Sequence, residues 1–143
     1  MKKSRISVLI AIVLLIGFLV SVPAVNNFSA KRVEKELKKI PLPDNTEMIE
    51  SLSKAGKFAG NGNGMQYFGA ILLKSEKSLD ELSAYYSQQS DAVVEAQKTQ
   101  EIAFLEHDKL SFEATMEDSA EYYIVYSFGS GIAPFSQLDI RGH

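Results

Sequence analysis

Hydrophobic positions are spread very unevenly along this chain. From Ile6 to Ala30 there are 25 residues without a charge, and the 17 residues Ile6–Val22 are apolar on every side of a helix. A segment with no polar face does not suit the surface of a soluble domain. A bilayer-spanning helix needs about 20 apolar residues, and a cleavable signal core about 7–15. Ile6–Val22 lies between the two and predicts a signal-anchor helix over residues 1–27. The small residues of Val22-Pro23-Ala24 leave an alternative, cleavage near Ala24 and secretion.

The pattern then changes. Val33, Leu37 and Ile40 recur at helical spacing among charges, so the helix is expected to run on to Ile40. Pro41-Leu42-Pro43 stops it. Residues 28–43 thus read as a basic juxtamembrane helix and linker, and residues 44–143 as an extracytoplasmic domain. Thr46–Ser53 alternates loosely and predicts a strand. Gly60-Asn61-Gly62-Asn63-Gly64 holds Asn-Gly twice, the strongest short hairpin signal. The apolar run Met65–Lys74 after it predicts the central strand.

Ser78-Leu79-Asp80-Glu81 is a capping box, and Leu79, Leu82, Tyr85 and Tyr86 form one stripe of a helix reaching about Gln89. Val93 and Val94 mark a short strand within 91–98. Thr99–His107 is open between a short helix and an edge strand. Leu110, Phe112, Ala114 and Met116 alternate with polar residues and predict another strand, and Tyr122–Phe128 predicts the last one. No periodicity is evident after Gly131. The order is β-β-α-β-β-β behind an N-terminal helix. The expected fold class is α+β, a small antiparallel sheet packed by one main helix.

Charge sharpens this picture. Residues 31–39 carry a net +3 and residues 40–143 a net −9. So acidic a domain is not expected to bind nucleic acid, which needs clustered Lys and Arg. The basic cluster Lys31, Arg32, Lys35, Lys38 and Lys39 is expected to meet an anionic membrane face, with the lipid bilayer as partner of Ile6–Val22. Long domains translocate largely regardless of charge, so a cytoplasmic N-terminus and an external domain are expected. The chain has no cysteine, which excludes disulfides, a thiolate nucleophile and Cys-based zinc sites.

Chemistry-bearing motifs are sparse. Gly60–Gly64 lacks the Lys-Ser/Thr and following helix of a phosphate loop, so its expected role is conformational. His107, between Glu106 and Asp108, is the one acid-flanked histidine and could serve as a base, but no second ligand or nucleophile pattern accompanies it. Glu113, Glu117, Asp118 and Glu121 read as the rim of a hairpin. Nine aromatics (among them Tyr67, Tyr123 and Phe128) exceed what one sheet face can bury, so part of them is expected to be exposed. The candidate partner surface is Asn61, Asn63, Tyr67 and Tyr123. No catalytic, metal or cofactor residue is assigned.

Pro41-Leu42-Pro43, the Gly-Asn-Gly-Asn-Gly-Met loop, Ala70-Ile-Leu-Leu-Lys-Ser75 and Ser78-Leu-Asp-Glu-Leu with Tyr85-Tyr86 together resemble a family of small, uncharacterised, membrane-anchored bacterial proteins. The resemblance spans most of 28–128. It implies an exported, tethered domain and carries over no catalytic residue. The function expected is a membrane-tethered, non-enzymatic binding or accessory module of a bacterial envelope with an envelope protein partner. The alternatives are a small envelope hydrolase using His107 with nearby carboxylates, and a structural subunit assembling through its N-terminal helix.

Overall fold

The computed structural model describes residues 2–58, 64–105, 109–129 and 133–143. One long helix, α1 (Lys2–Lys39), leads into strands β1 (Thr46–Gly56) and β2 (Gln66–Ser75). Helix α2 (Leu79–Ser87) and strands β3 (Val93–Ala96) and β4 (Tyr122–Phe128) follow. The four strands form an antiparallel sheet in the order β1-β2-β4-β3. The fold is α+β, as the pattern of the chain predicts.

Strand β2 sits inside the sheet and is buried on both faces, which explains its nearly unbroken apolar run. Its odd-numbered residues face the helices. Ile71 and Leu73 pack with Leu37 of α1, Leu82 and Tyr86 of α2, and Tyr123 and Val125 of β4. Its even-numbered residues face the other way. Phe68, Ala70 and Leu72 pack with Ile102, Leu105 and Phe112 from the segment between β3 and β4. The nine aromatics are shared between these two cores and a smaller cluster of Tyr67 with Ala30, Ala55 and Ala133, and only Tyr126, Phe128 and Tyr85 of them remain half-buried.

Helix α2 forms where its signals lie. Glu81 N–H donates to Ser78 Oγ at 3.3 Å, and Ser78 N–H donates to the Glu81 carboxylate at 2.9 Å, closing the capping box. Tyr85 OH donates to the Pro41 carbonyl at 2.9 Å, tying the proline turn to this helix.

The expected strand at 110–116 is not formed. The segment makes a single bridge, Glu101 to Ser111. Phe112 N–H donates to the Gln100 carbonyl at 2.9 Å, and the next two amides go to a side chain instead of a ladder. Glu113 and Ala114 N–H both donate to Glu50 Oε2, at 2.8 and 2.9 Å. The in–out alternation survives all the same, because Phe112 is buried while Ser111 and Glu113 are exposed. A period-two pattern reports a half-buried extended chain, and a strand additionally needs a free sheet edge beside it.

Helix α1 has two unlike halves. Every large apolar side chain from Ile6 to Val20 is exposed, as for a membrane-crossing helix. From Val22 onward one stripe is buried: Val22, Asn26, Ala30, Glu34 and Leu37. This half of α1 lies across β1, β2 and β4. The boundary expected at residue 43/44 would cut through that packing, because residues 22–40 build one wall of the core. Two polar residues hid the stripe from a hydrophobicity reading. Glu34 accepts from Lys31 Nζ at 2.8 Å and from Ser51 Oγ at 2.8 Å. The basic cluster is correspondingly engaged in part, with Lys31 and Lys38 on Glu34 and Lys39 on Glu36.

α1 crosses β2 at Gly69. A Cβ there would stand 2.5 Å from the Glu34 backbone nitrogen and 2.9 Å from the Val33 carbonyl carbon. The glycine in the middle of a strand is explained by this close passage. We expect Gly69→Ala to lower the unfolding midpoint of the detergent-solubilised chain, at a cost of about 1–3 kcal/mol. Gly17→Ala, whose Cβ would meet nothing within 4 Å, should cause no loss. Equal melting of both variants would contradict this crossing.

Candidate functional site

The most elaborate polar arrangement among the described residues lies where α1 leaves its apolar segment. Asn26 is fully buried. Its amide Nδ2 donates to Asp139 Oδ2 at 2.8 Å, and its Oδ1 accepts from Tyr67 OH at 2.9 Å. The same hydroxyl accepts from Ala133 N–H at 3.0 Å. Arg141 closes the set. Its Nε donates to Asp139 Oδ1 at 2.9 Å, its Nη2 to Asp139 Oδ2 at 2.6 Å and to the Pro23 carbonyl at 3.2 Å, and its Nη1 to Asn27 Oδ1 at 2.8 Å.

Helix, strand and the 133–143 segment are thus joined by one network. Burying polar groups is costly unless each finds a partner, and here each does. Segment 133–143 is held by the backbone as well. Gly64 N–H donates to the Gly142 carbonyl at 2.8 Å. Gly142 packs so closely on Met65 that a Cβ would stand 2.9 Å from its nitrogen. Gly64 has φ +152°, a conformation open to glycine. The last glycine of the Gly-Asn loop is therefore pinned to this segment.

Electrostatically the network is a structural latch. The Arg141 guanidinium, against the opposing cost of burial and with help from the Asn26 amide, holds the Asp139 carboxyl down at about 2. A carboxylate so committed makes a poor general base near neutral pH.

Neither of the described candidate partner residues lies at the surface. Tyr67 is 3% exposed and spends its hydroxyl in the latch; Tyr123 is 5% exposed and packs under the helices. Asn61 and Asn63 lie outside the described residues, as do Gly60, Gly62 and His107. Of the hairpin carboxylates, Glu117 pairs with Lys74 at 2.7 Å. Among the described residues no group of three or more His, Asp or Glu side chains is arranged to hold a metal ion.

Of the grooves among the described residues, two bear on binding. One, of about 610 Å³, is polar and lies at the ends of β1 and β2, between Thr46, Glu47, Lys74 and Glu121. The other, of about 620 Å³, runs beside α1, with Tyr67 and Phe128 among its apolar lining and Arg32, Glu36 and Asp91 as charges. It can hold an apolar side chain between charged neighbours.

Sequence reasoning missed Asn26, Asp139 and Arg141. The available signal was Asn26 itself, a strong hydrogen-bonding residue in an otherwise uncharged apolar stretch, four residues after Val22 on the same helical face. No protein-family model, curated protein or solved structure matches the chain, so the resemblance carried by residues 28–128 gains no support from such comparisons.

The latch carries a pH dependence. A carboxyl held below its ordinary value of about 3.9 contributes stability that is complete above that pH and is lost as the pH falls toward 2. We expect the detergent-solubilised chain to lose about 2 kcal/mol over that interval through Asp139. Asp139→Asn should flatten this part of the profile, and an unchanged acid limb would contradict the assignment. Tyr67→Phe, which strips a partner from Asn26 and from the Ala133 amide, should cost about 1–3 kcal/mol at neutral pH.

Proposed function

We propose that this chain is a membrane-tethered, extracytoplasmic module of a bacterial envelope that binds a protein or another envelope component and does no chemistry of its own. The observation that carries the reading is α1. It is bare and apolar from Ile6 to Val20 and built into the domain from Val22 onward. Anchor and domain share one unbroken helix, so the domain stands on the bilayer at a set height and tilt. That geometry suits a module that presents a surface to a neighbour in the same membrane.

The same packing supports retention of the anchor. Cleavage near Ala24 would remove Val22 from the core and the Pro23 carbonyl from Arg141. Long C-terminal domains translocate largely regardless of charge, which supports a cytoplasmic N-terminus and an external domain. The groove beside α1 is the proposed docking place, since Phe28, Ser29 and Arg32 bring it next to the root of the anchor.

One experiment in intact cells tests the reading. The chain has no cysteine, so Ser87→Cys at the exposed end of α2 takes a membrane-impermeant maleimide only if the domain is outside. A photo-crosslinking residue at Arg32, in the groove, should yield an adduct, and one at Thr115, on the far cover, should not. Labelling only after lysis would sink the topology. External labelling without an adduct from Arg32 would sink the binding role of the groove. Recovery of a chain starting at Val25 in the medium would show cleavage.

A further inference from the structure

The 133–143 segment has an amphipathic order that hydropathy alone does not reveal. It forms two 3-10 turns, Ser136–Leu138 and Ile140–Gly142. A 3-10 turn has three residues per turn, so positions three apart are eclipsed. Ala133, Ser136, Asp139 and Gly142 are buried with this period. The large apolar residues point the other way: Phe135 is 59%, Leu138 62% and Ile140 85% exposed. Ser136 and Asp139 are turned inward and the three large apolar residues outward, with Gln137 and His143 exposed beside them.

The place of the segment explains this orientation. Asp139 is bonded to Asn26, and Arg141 to the Pro23 carbonyl and Asn27. Phe135 packs edge-on against Phe18, ring centroids 5.3 Å apart. The segment therefore runs alongside residues 18–27, the last turns of the apolar span and the first turn beyond it. Ile6–Val22 as a helix is about 25 Å long, short of a hydrocarbon core of about 30 Å. A short span draws flanking groups into the boundary or thins the bilayer.

We propose that the 133–143 segment docks on the bilayer itself, with Phe135, Leu138 and Ile140 in the interface beside the anchor. The proposal rests on the membrane reading of α1. Lipid fits as the occupant because the apolar residues continue an apolar helix, Phe135 already touching Phe18. Ile140 shares its groove with Lys54 and Lys57, beside the Arg141–Asp139 pair. The one acid in the segment, Asp139, is sealed inside with Arg141. The latch then holds the domain flat on the membrane as a second attachment, in addition to the helix.

The chain has no tryptophan, so single-tryptophan variants report position directly. The full chain is reconstituted in phosphatidylcholine–phosphatidylglycerol vesicles whose acyl chains carry bromine either near the headgroup or near the bilayer centre. Leu138→Trp and Ile140→Trp should emit blue-shifted and lose most of their emission to the shallow bromines. Leu14→Trp should be quenched by the deep ones, and Val93→Trp, on the edge strand β3, by neither. Quenching of Leu14→Trp with water-like, unquenched emission from positions 138 and 140 would overturn the proposal and leave the anchor standing. Blue-shifted but unquenched emission at 138 and 140 would mean that protein covers the patch, and would overturn it too. An unquenched Leu14→Trp would overturn the anchor, and the proposal with it.

Discussion

The crossing of α1 over Gly69 is the constraint on which the other contacts depend. Two backbones meet there at a distance that leaves no room for a single methyl group. The crossing sets the height of the helix above β2. It brings Leu37 onto Ile71 and Leu73, and sets Ala30 beside Ala55 and Tyr67. Small residues line this half of the interface for the same reason that glycine occupies its closest point. A larger side chain at Ala30 or Ala55 would lift the helix and pull Leu37 away from the core at its other end.

The buried polar groups of α1 follow from that closeness. Asn26 and Glu34 occupy the buried stripe, and each is compensated by groups far away in sequence, Tyr67 and Asp139 for one and Ser51 for the other. Such groups destabilise when left single and specify one docking when complete. The latch and the Glu34 cluster lie on one helix face and together fix both rotation and register of α1, which hydrophobic contacts alone would leave looser.

A helix held in this way makes the apolar segment and the domain one continuous unit. Pro23 lies within it at the junction, and Pro41-Leu42-Pro43, the stiff turn, comes only after the packed stripe ends. The domain is consequently oriented relative to the apolar segment. This distinguishes it from a globular unit on a linker, whose partner-facing surface would sample all directions.

Much of the fold was legible in the chain itself. The uncharged run from Ile6, the capping box at Ser78, the proline stop and the apolar run of β2 each rest on interactions between near neighbours or on composition, and each formed where expected. What pattern could not determine was everything that depends on a distant partner. The alternation at Leu110–Met116 described burial correctly but could not say that no strand would lie beside it, because Glu50 supplies the hydrogen bonds from another element. Tyr67 and Tyr123 read as surface aromatics because nothing local shows that two helices cover them. Asp139 and Arg141 carry no local signature, and Asn26 shows only as a hydrogen-bonding residue in an apolar stretch. A buried polar residue becomes intelligible only when its partner is present, and Asn26 and Asp139 lie more than a hundred residues apart, so tertiary structure alone decided that arrangement.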